Sequence, residues 1–146
     1  MIDIKRISDV KYDNYDEVWA IVRSLKTKSS KLKQVTALSP SLDLFFKYRN
    51  LVKSNNWSKK SFDEIYVPQF LKELKSGNEK GFEFLNELYR LDKAGKKICL
   101  VCFCTEESMC HRSIVAGLLQ GAGCNVRTEK GTDYSKYYAM YKACAI

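Results

Sequence analysis

The chain has 146 residues, 45% of them hydrophobic and 12% aromatic, with seven glycines and two prolines. That length and composition suit one globular domain with a real core and exclude a disordered or collagen-like chain. The formal net charge of +8 at pH 7 favours an anionic partner such as nucleic acid, a nucleotide or a phosphorylated small molecule, without locating a site.

No apolar run approaches the roughly 18 residues that cross a membrane. The opening Met1-Ile2-Asp3-Ile4-Lys5 lacks the apolar stretch of a signal peptide. A cytoplasmic protein without membrane contact is expected, in a compartment that keeps thiols reduced. Its six cysteines then point to free thiols, metal or chemistry rather than to a disulfide framework.

Ile2 to Ile7 alternates apolar and polar residues and reads as a first strand. Glu17 to Leu25 is a dense apolar run read as a second, buried strand, with Arg23 near its C-terminal end. Lys26 to Lys33 is a basic, serine-containing loop, and Gln34 to Leu38 a short extended segment. Ser39 and Pro40 open a helix, as cap and first helical residue. Its residues Leu42, Phe45, Phe46, Arg49 and Val52 recur at helical spacing up to Asn55-Asn56. Ser61 to Glu64 has capping-box spacing for a second helix, which Pro68 is expected to kink or break. That helix ends at Ser76-Gly77. Asn78 is expected to cap a third, closed by Gly95.

Lys97 to Cys104 is an almost unbroken apolar run, as in a central parallel strand buried on both faces. Cys110 to Gln120 is the next helix and Asn125 to Thr128 a last strand. Asp133 is placed to cap a closing helix that carries Tyr134, Tyr137, Tyr138 and Tyr141. Alternating strands and helices predict a single α/β domain over 1–146, Rossmann-like, with a mainly parallel sheet flanked by helices. The segment around 42–94 is long for one crossover and is expected to form a helical hairpin insertion.

Chemistry concentrates between the long strand and the helix that follows. Alternation puts Cys102 and Cys104 on one strand face and Cys99 on the other, as a core thiol. Ligands in open α/β sheets bind at the carboxyl ends of strands. Cys102, Cys104, Cys110 and His111 are therefore expected to converge there. The helix start offers free N–H groups and a positive dipole end, with Arg112 and Ser113 adding a guanidinium fork and a hydroxyl. This suits a phosphate or carboxylate, and the dipole is expected to lower the pKa of Cys110. Arg112 lies too far beyond Cys104 for the phosphatase loop. A rhodanese-like sulfur transfer stays open, although its expected loop is missing.

Three readings compete: an anion-binding, thiol-active site on Cys110, His111, Arg112 and Ser113; a thiophilic metal on Cys102, Cys104, Cys110 and His111; and buried thiols beside a histidine that only caps its helix.

The stretch from Cys102 to Ser113 resembles the signature of domain-of-unknown-function family 488 (DUF488, YeaO-like). Its members carry a strand ending in cysteine, a polar loop, and Cys-His-Arg-Ser opening a helix. Ile4 to Ile7, Val18 to Arg23, Leu38 to Ser41, and the spaced Trp57, Phe62, Tyr66 and Leu74 extend the resemblance over most of residues 2–120. There are departures. Cys104 stands where many members have an acidic residue, and Val22 where the family has the aspartate of an Asp-Arg pair. Leu25-Lys26-Thr27-Lys28 replaces the usual Trp-Pro-Arg-Gly.

The resemblance implies an α/β domain and a site that joins Arg23 to the Cys102–Ser113 segment. It assigns no activity and names no cofactor. The resulting expectation is binding of a phosphate-bearing ligand, nucleotide or nucleic acid, through Arg23, Cys102, Arg112 and Ser113. Cys110 or His111 would carry any nucleophilic or acid–base step. Lys26, Lys28, Lys31 and Lys33 extend this surface toward a longer ligand, unless they form only a solvated loop. The alternative is a basic, thiol-rich interaction module without catalysis. Oligomeric state is left open.

Overall fold

The long apolar run forms a strand with every residue buried, Ile98–Cys102. It has parallel partners on both sides, which is why its sequence shows no alternation. In the computed structural model, which describes residues 1–26 and 28–144, the strands in chain order are β1 (Ile2–Arg6), β2 (Glu17–Ala20), β3 (Leu32–Gln34), β4 (Ile98–Cys102) and β5 (Val126–Arg127). They make one five-stranded sheet in the order β3-β2-β4-β1-β5, parallel at every pairing. Helices flank it, in a Rossmann-like α/β architecture. Among the described residues no helix is long and apolar enough to cross a membrane.

β1 keeps the predicted alternation, with Ile2 and Ile4 in the core. Asp3 is nevertheless buried. It accepts both Nε and Nη2 of Arg127 at 2.7 and 2.8 Å, and the Tyr15 hydroxyl as well. β2 is shorter than its apolar run. After Ala20 only the Ile21 N–H still reaches β4, at the Val101 carbonyl. The Val22 and Arg23 carbonyls turn to the Gln34 side chain instead. The third strand begins at Leu32 rather than Gln34, and Thr36–Leu38 is a 3-10 turn. Thr27, inside the basic loop, lies outside the described residues.

The crossover between β3 and β4 is built from helices joined by turns, with no strand among the described residues. Helix α1 (Leu42–Lys53) is capped by Ser41, whose hydroxyl accepts Leu44 N–H at 3.1 Å. Ser39 instead donates to Thr36 O. Leu44, Tyr48 and Leu51, spaced i, i+4, i+7, face inward, while Leu42, Phe46 and Val52 stay exposed.

Ser58, not Ser61, is the next cap, and the two serines form a reciprocal capping box before α2 (Lys59–Ser61). Pro68 does not break the helix. A π-helical segment, Phe62–Tyr66, precedes it, and α3 (Val67–Ser76) takes the proline in its first turn. The widened turn accommodates a residue without an N–H. Helix α4 (Gly81–Lys93) starts after Lys80 at φ 57°, with no side-chain cap, so Asn78 does not cap it. Gly95 closes it at φ +81°, as predicted. Helix α5 (His111–Gly121) follows β4, and α6 (Lys136–Ala143) packs on α5. Asp133 accepts Ser135 N–H at 2.8 Å just ahead of α6.

Candidate functional site

β4 delivers Cys102 to the carboxyl edge of the sheet. Cys110 is the N-cap of α5 and returns its thiol to the same point. Their sulfurs lie 3.0 Å apart, and the Cys104 sulfur joins them, all three within 4.8 Å of one another. Cys99 lies elsewhere, in register with Asp3 on β1, and burial pushes its thiol up to about 12.

The neighbours of the cluster are as specific as its sulfurs. Arg112 is buried and turns back on the thiols. Its Nη1 donates to Cys102 Sγ at 3.0 Å and to the Cys104 carbonyl at 2.6 Å, with Cys110 Sγ at 3.8 Å. His111 Nε2 donates to the Ile21 carbonyl at 2.6 Å, which leaves Nδ1 facing Cys110 Sγ at 3.7 Å. Phe70 packs against the imidazole at a centroid distance of 5.7 Å. Ser113 is fully buried and donates to Cys110 O at 2.8 Å, tightening the first turn of α5.

Three thiols this close ionise as a unit. Hydrogen bonds from Cys104 and then Cys110 hold Cys102 far below the ordinary thiol range. They prevail over burial, with His111 and Arg112 adding to the effect. Cys104 is raised, first by its hydrogen bond to Cys102. Cys110 is also raised, first by burial and then by Cys102. The expectation that the helix dipole gives Cys110 the thiolate is therefore corrected. Burial and the neighbouring Cys102 hold the Cys110 thiol up, and Cys102 is the thiol of the cluster that is held low.

Cys102, Cys104, Cys110 and His111 form one end of a cavity of about 340 Å³. Phe45 and Tyr48 of α1, with Tyr66 of the π-helical segment, make its aromatic wall, and Met109 and Phe103 come from the β4–α5 loop. Burial, with the nearby thiols, pushes the Tyr66 phenol well up, so it stays a proton donor. Arg23 is the only Arg, Lys, Asp or Glu in the lining among the described residues. Its Nε donates to Pro40 O at 2.9 Å, and its Nη2 pairs with Glu79. Arg112 and Ser113 lie behind the thiols rather than in the wall. Of the basic loop, Lys31 is tied to the Tyr12 and Tyr15 carbonyls and Lys33 lies 4.5 Å over the Trp19 ring, while Lys26 and Lys28 are exposed.

The aromatic wall and the Ile21 carbonyl were not foreseen. A residue four before His111's aromatic partner, Tyr66 to Phe70, shows in the sequence only as helical spacing, which does not say that the face meets a site. The arrangement can support a stabilised thiolate, and three sulfurs this close could also ligate a thiophilic ion.

The chain matches the family DUF488-N3a, described as the active DUF488-N3 subclade, over residues 2–123. No curated protein and no solved structure matches.

Proposed function

This chain belongs to the DUF488 family, and we propose that it is a thiol-dependent enzyme acting on a small phosphate-bearing ligand of the nucleotide class, with Cys102 as the nucleophile. The observation that carries this reading is the 3.0 Å bond from Arg112 Nη1 to Cys102 Sγ at the inner end of the cavity. A buried guanidinium held by a thiolate, beside an uncapped helix N-terminus, is the environment that keeps cysteine ionised at neutral pH. His111, with Nε2 fixed on Ile21 O, has Nδ1 free to take or return the Cys110 proton.

The ligand class follows from the walls. Phe45, Tyr48 and Tyr66 offer aromatic surface to a flat ring, and Arg23 in the same wall offers a cation to an anion. Its pairing with Glu79 is largely exposed and weak, so a phosphate can displace the carboxylate. In this reading Arg112 and Ser113 serve the thiol rather than the ligand.

Iodoacetamide alkylation with peptide mapping tests both halves. Cys102 is expected to react first of the six cysteines, and a nucleoside monophosphate to slow it. Arg23→Ala is expected to remove that protection. Absence of protection in the unmodified protein removes the ligand class; slow alkylation of Cys102 removes the nucleophile.

A second reading rests on the three sulfurs within 4.8 Å, as ligands of zinc or a similar ion. Stoichiometric metal in protein purified under reducing conditions would establish it, and sub-stoichiometric metal would remove it.

A further inference from the structure

We propose that the Cys102–Cys110 pair reduces peroxides, Cys102 taking the oxygen and Cys110 closing a disulfide. This rests on Cys102 as the nucleophile of the preceding reading but uses neither Arg23 nor a phosphate-bearing ligand. Four features of the site support it. The two sulfurs are 3.0 Å apart, so a disulfide needs them only roughly 1 Å closer. They belong to a strand end and a helix cap joined by a short loop, so neither element has to unfold. Both line a cavity that admits a small solute. Arg112 Nη1 stands beside the attacking sulfur, where negative charge passes to the departing oxygen.

The chemistry balances. The Cys102 thiolate attacks the terminal oxygen of a hydroperoxide; an S–O bond forms, the O–O bond breaks, and alkoxide or hydroxide leaves. Cys102 is then a sulfenic acid. Cys110 sulfur attacks it, an S–S bond forms, and hydroxide departs as water with the Cys110 proton, relayed by His111 Nδ1 at 3.7 Å. The two thiols lose two electrons and the peroxide gains them. A dithiol reductant restores the pair by exchange.

The test is one equivalent of hydrogen peroxide added to the fully reduced protein at pH 7, then non-reducing peptide mapping. The expected product is a Cys102–Cys110 disulfide, formed about tenfold or more faster than free cysteine reacts and reversed by dithiothreitol. Cys110→Ser is expected to stop at the sulfenic acid, captured on Cys102 by dimedone. A disulfide through Cys104, or peroxide reaction no faster than free cysteine, overturns the proposal. Iodoacetamide run in parallel separates the two readings. Fast alkylation with slow peroxide reaction overturns this inference alone, and slow reaction with both reagents overturns the Cys102 nucleophile too. The map of the unmodified protein decides even if the variant does not fold.

Discussion

Arg112 is the residue on which the account of the site turns. A guanidinium is costly to bury without a partner, and here its partners are Cys102 Sγ and the Cys104 carbonyl. Charge-assisted hydrogen bonds contribute about 1.5–3 kcal/mol, and each 1.36 kcal/mol is about one pKa unit. Arg112→Gln is therefore expected to raise the Cys102 pKa and to slow its alkylation below neutral pH. Peptide-resolved kinetics checks this, with circular dichroism confirming that the variant folds. An unchanged rate would mean that the guanidinium does not hold the thiolate. At this scale the sequence was informative in part. The meeting of Cys102, Cys104, Cys110 and His111 followed from a strand end and a helix start separated by a short loop. Which of the thiols would be charged did not follow, because spacing says nothing about whether the second residue of a helix turns its side chain to a ligand or back on the strand.

Helix α5 positions half of the site, and its seat on α6 is unusually close. A Cβ at Gly117 would run into the Tyr134 backbone carbonyl and meet the Tyr137 ring at 2.9 Å. Gly117→Ala gains about 1 kcal/mol of helix propensity. Forcing the helix off Tyr134 is expected to cost more, about 1–3 kcal/mol. A lower midpoint in urea unfolding is the predicted result, and a raised midpoint would show that α5 can shift freely. The elements themselves were mostly legible from periodicity. Their starts were not, because Ser39, Ser41, Ser58, Ser61 and Asn78 are all plausible caps and only the tertiary packing selects Ser41 and Ser58. Pro68 reads as a kink or break when its missing N–H is weighed alone; the π-helical turn before it absorbs the mismatch.

Across the molecule, the sheet order places β2 and β4 side by side, so the end of one apolar run and the chemistry of the other open onto one cavity. Alternation and apolar runs predicted a parallel α/β sheet. They could not give the order β3-β2-β4-β1-β5, since strands of two to five residues carry no pairing code of their own. Asp3 ties this sheet together, joining β1 to Arg127 of β5 and to Tyr15 ahead of β2. Burial raises its pKa, but Arg127 and Tyr15 outweigh that and hold the carboxyl below the usual value. Its stabilising contribution is thus fully present above an unfolded pKa of about 3.9 and lost as pH falls through the lower folded value. Asp3→Asn is expected to cost about 1–3 kcal/mol at pH 7, with the gap from the unmodified protein narrowing below about pH 4; a gap constant with pH would contradict the ionised role. The most direct test of the whole account is the iodoacetamide alkylation of Cys102 followed across pH. The account predicts a rate that stays level through pH 7 and falls off only well below the free-thiol pKa of about 8.5. A rate that falls tenfold for each pH unit below 8, as for a free cysteine, would contradict it.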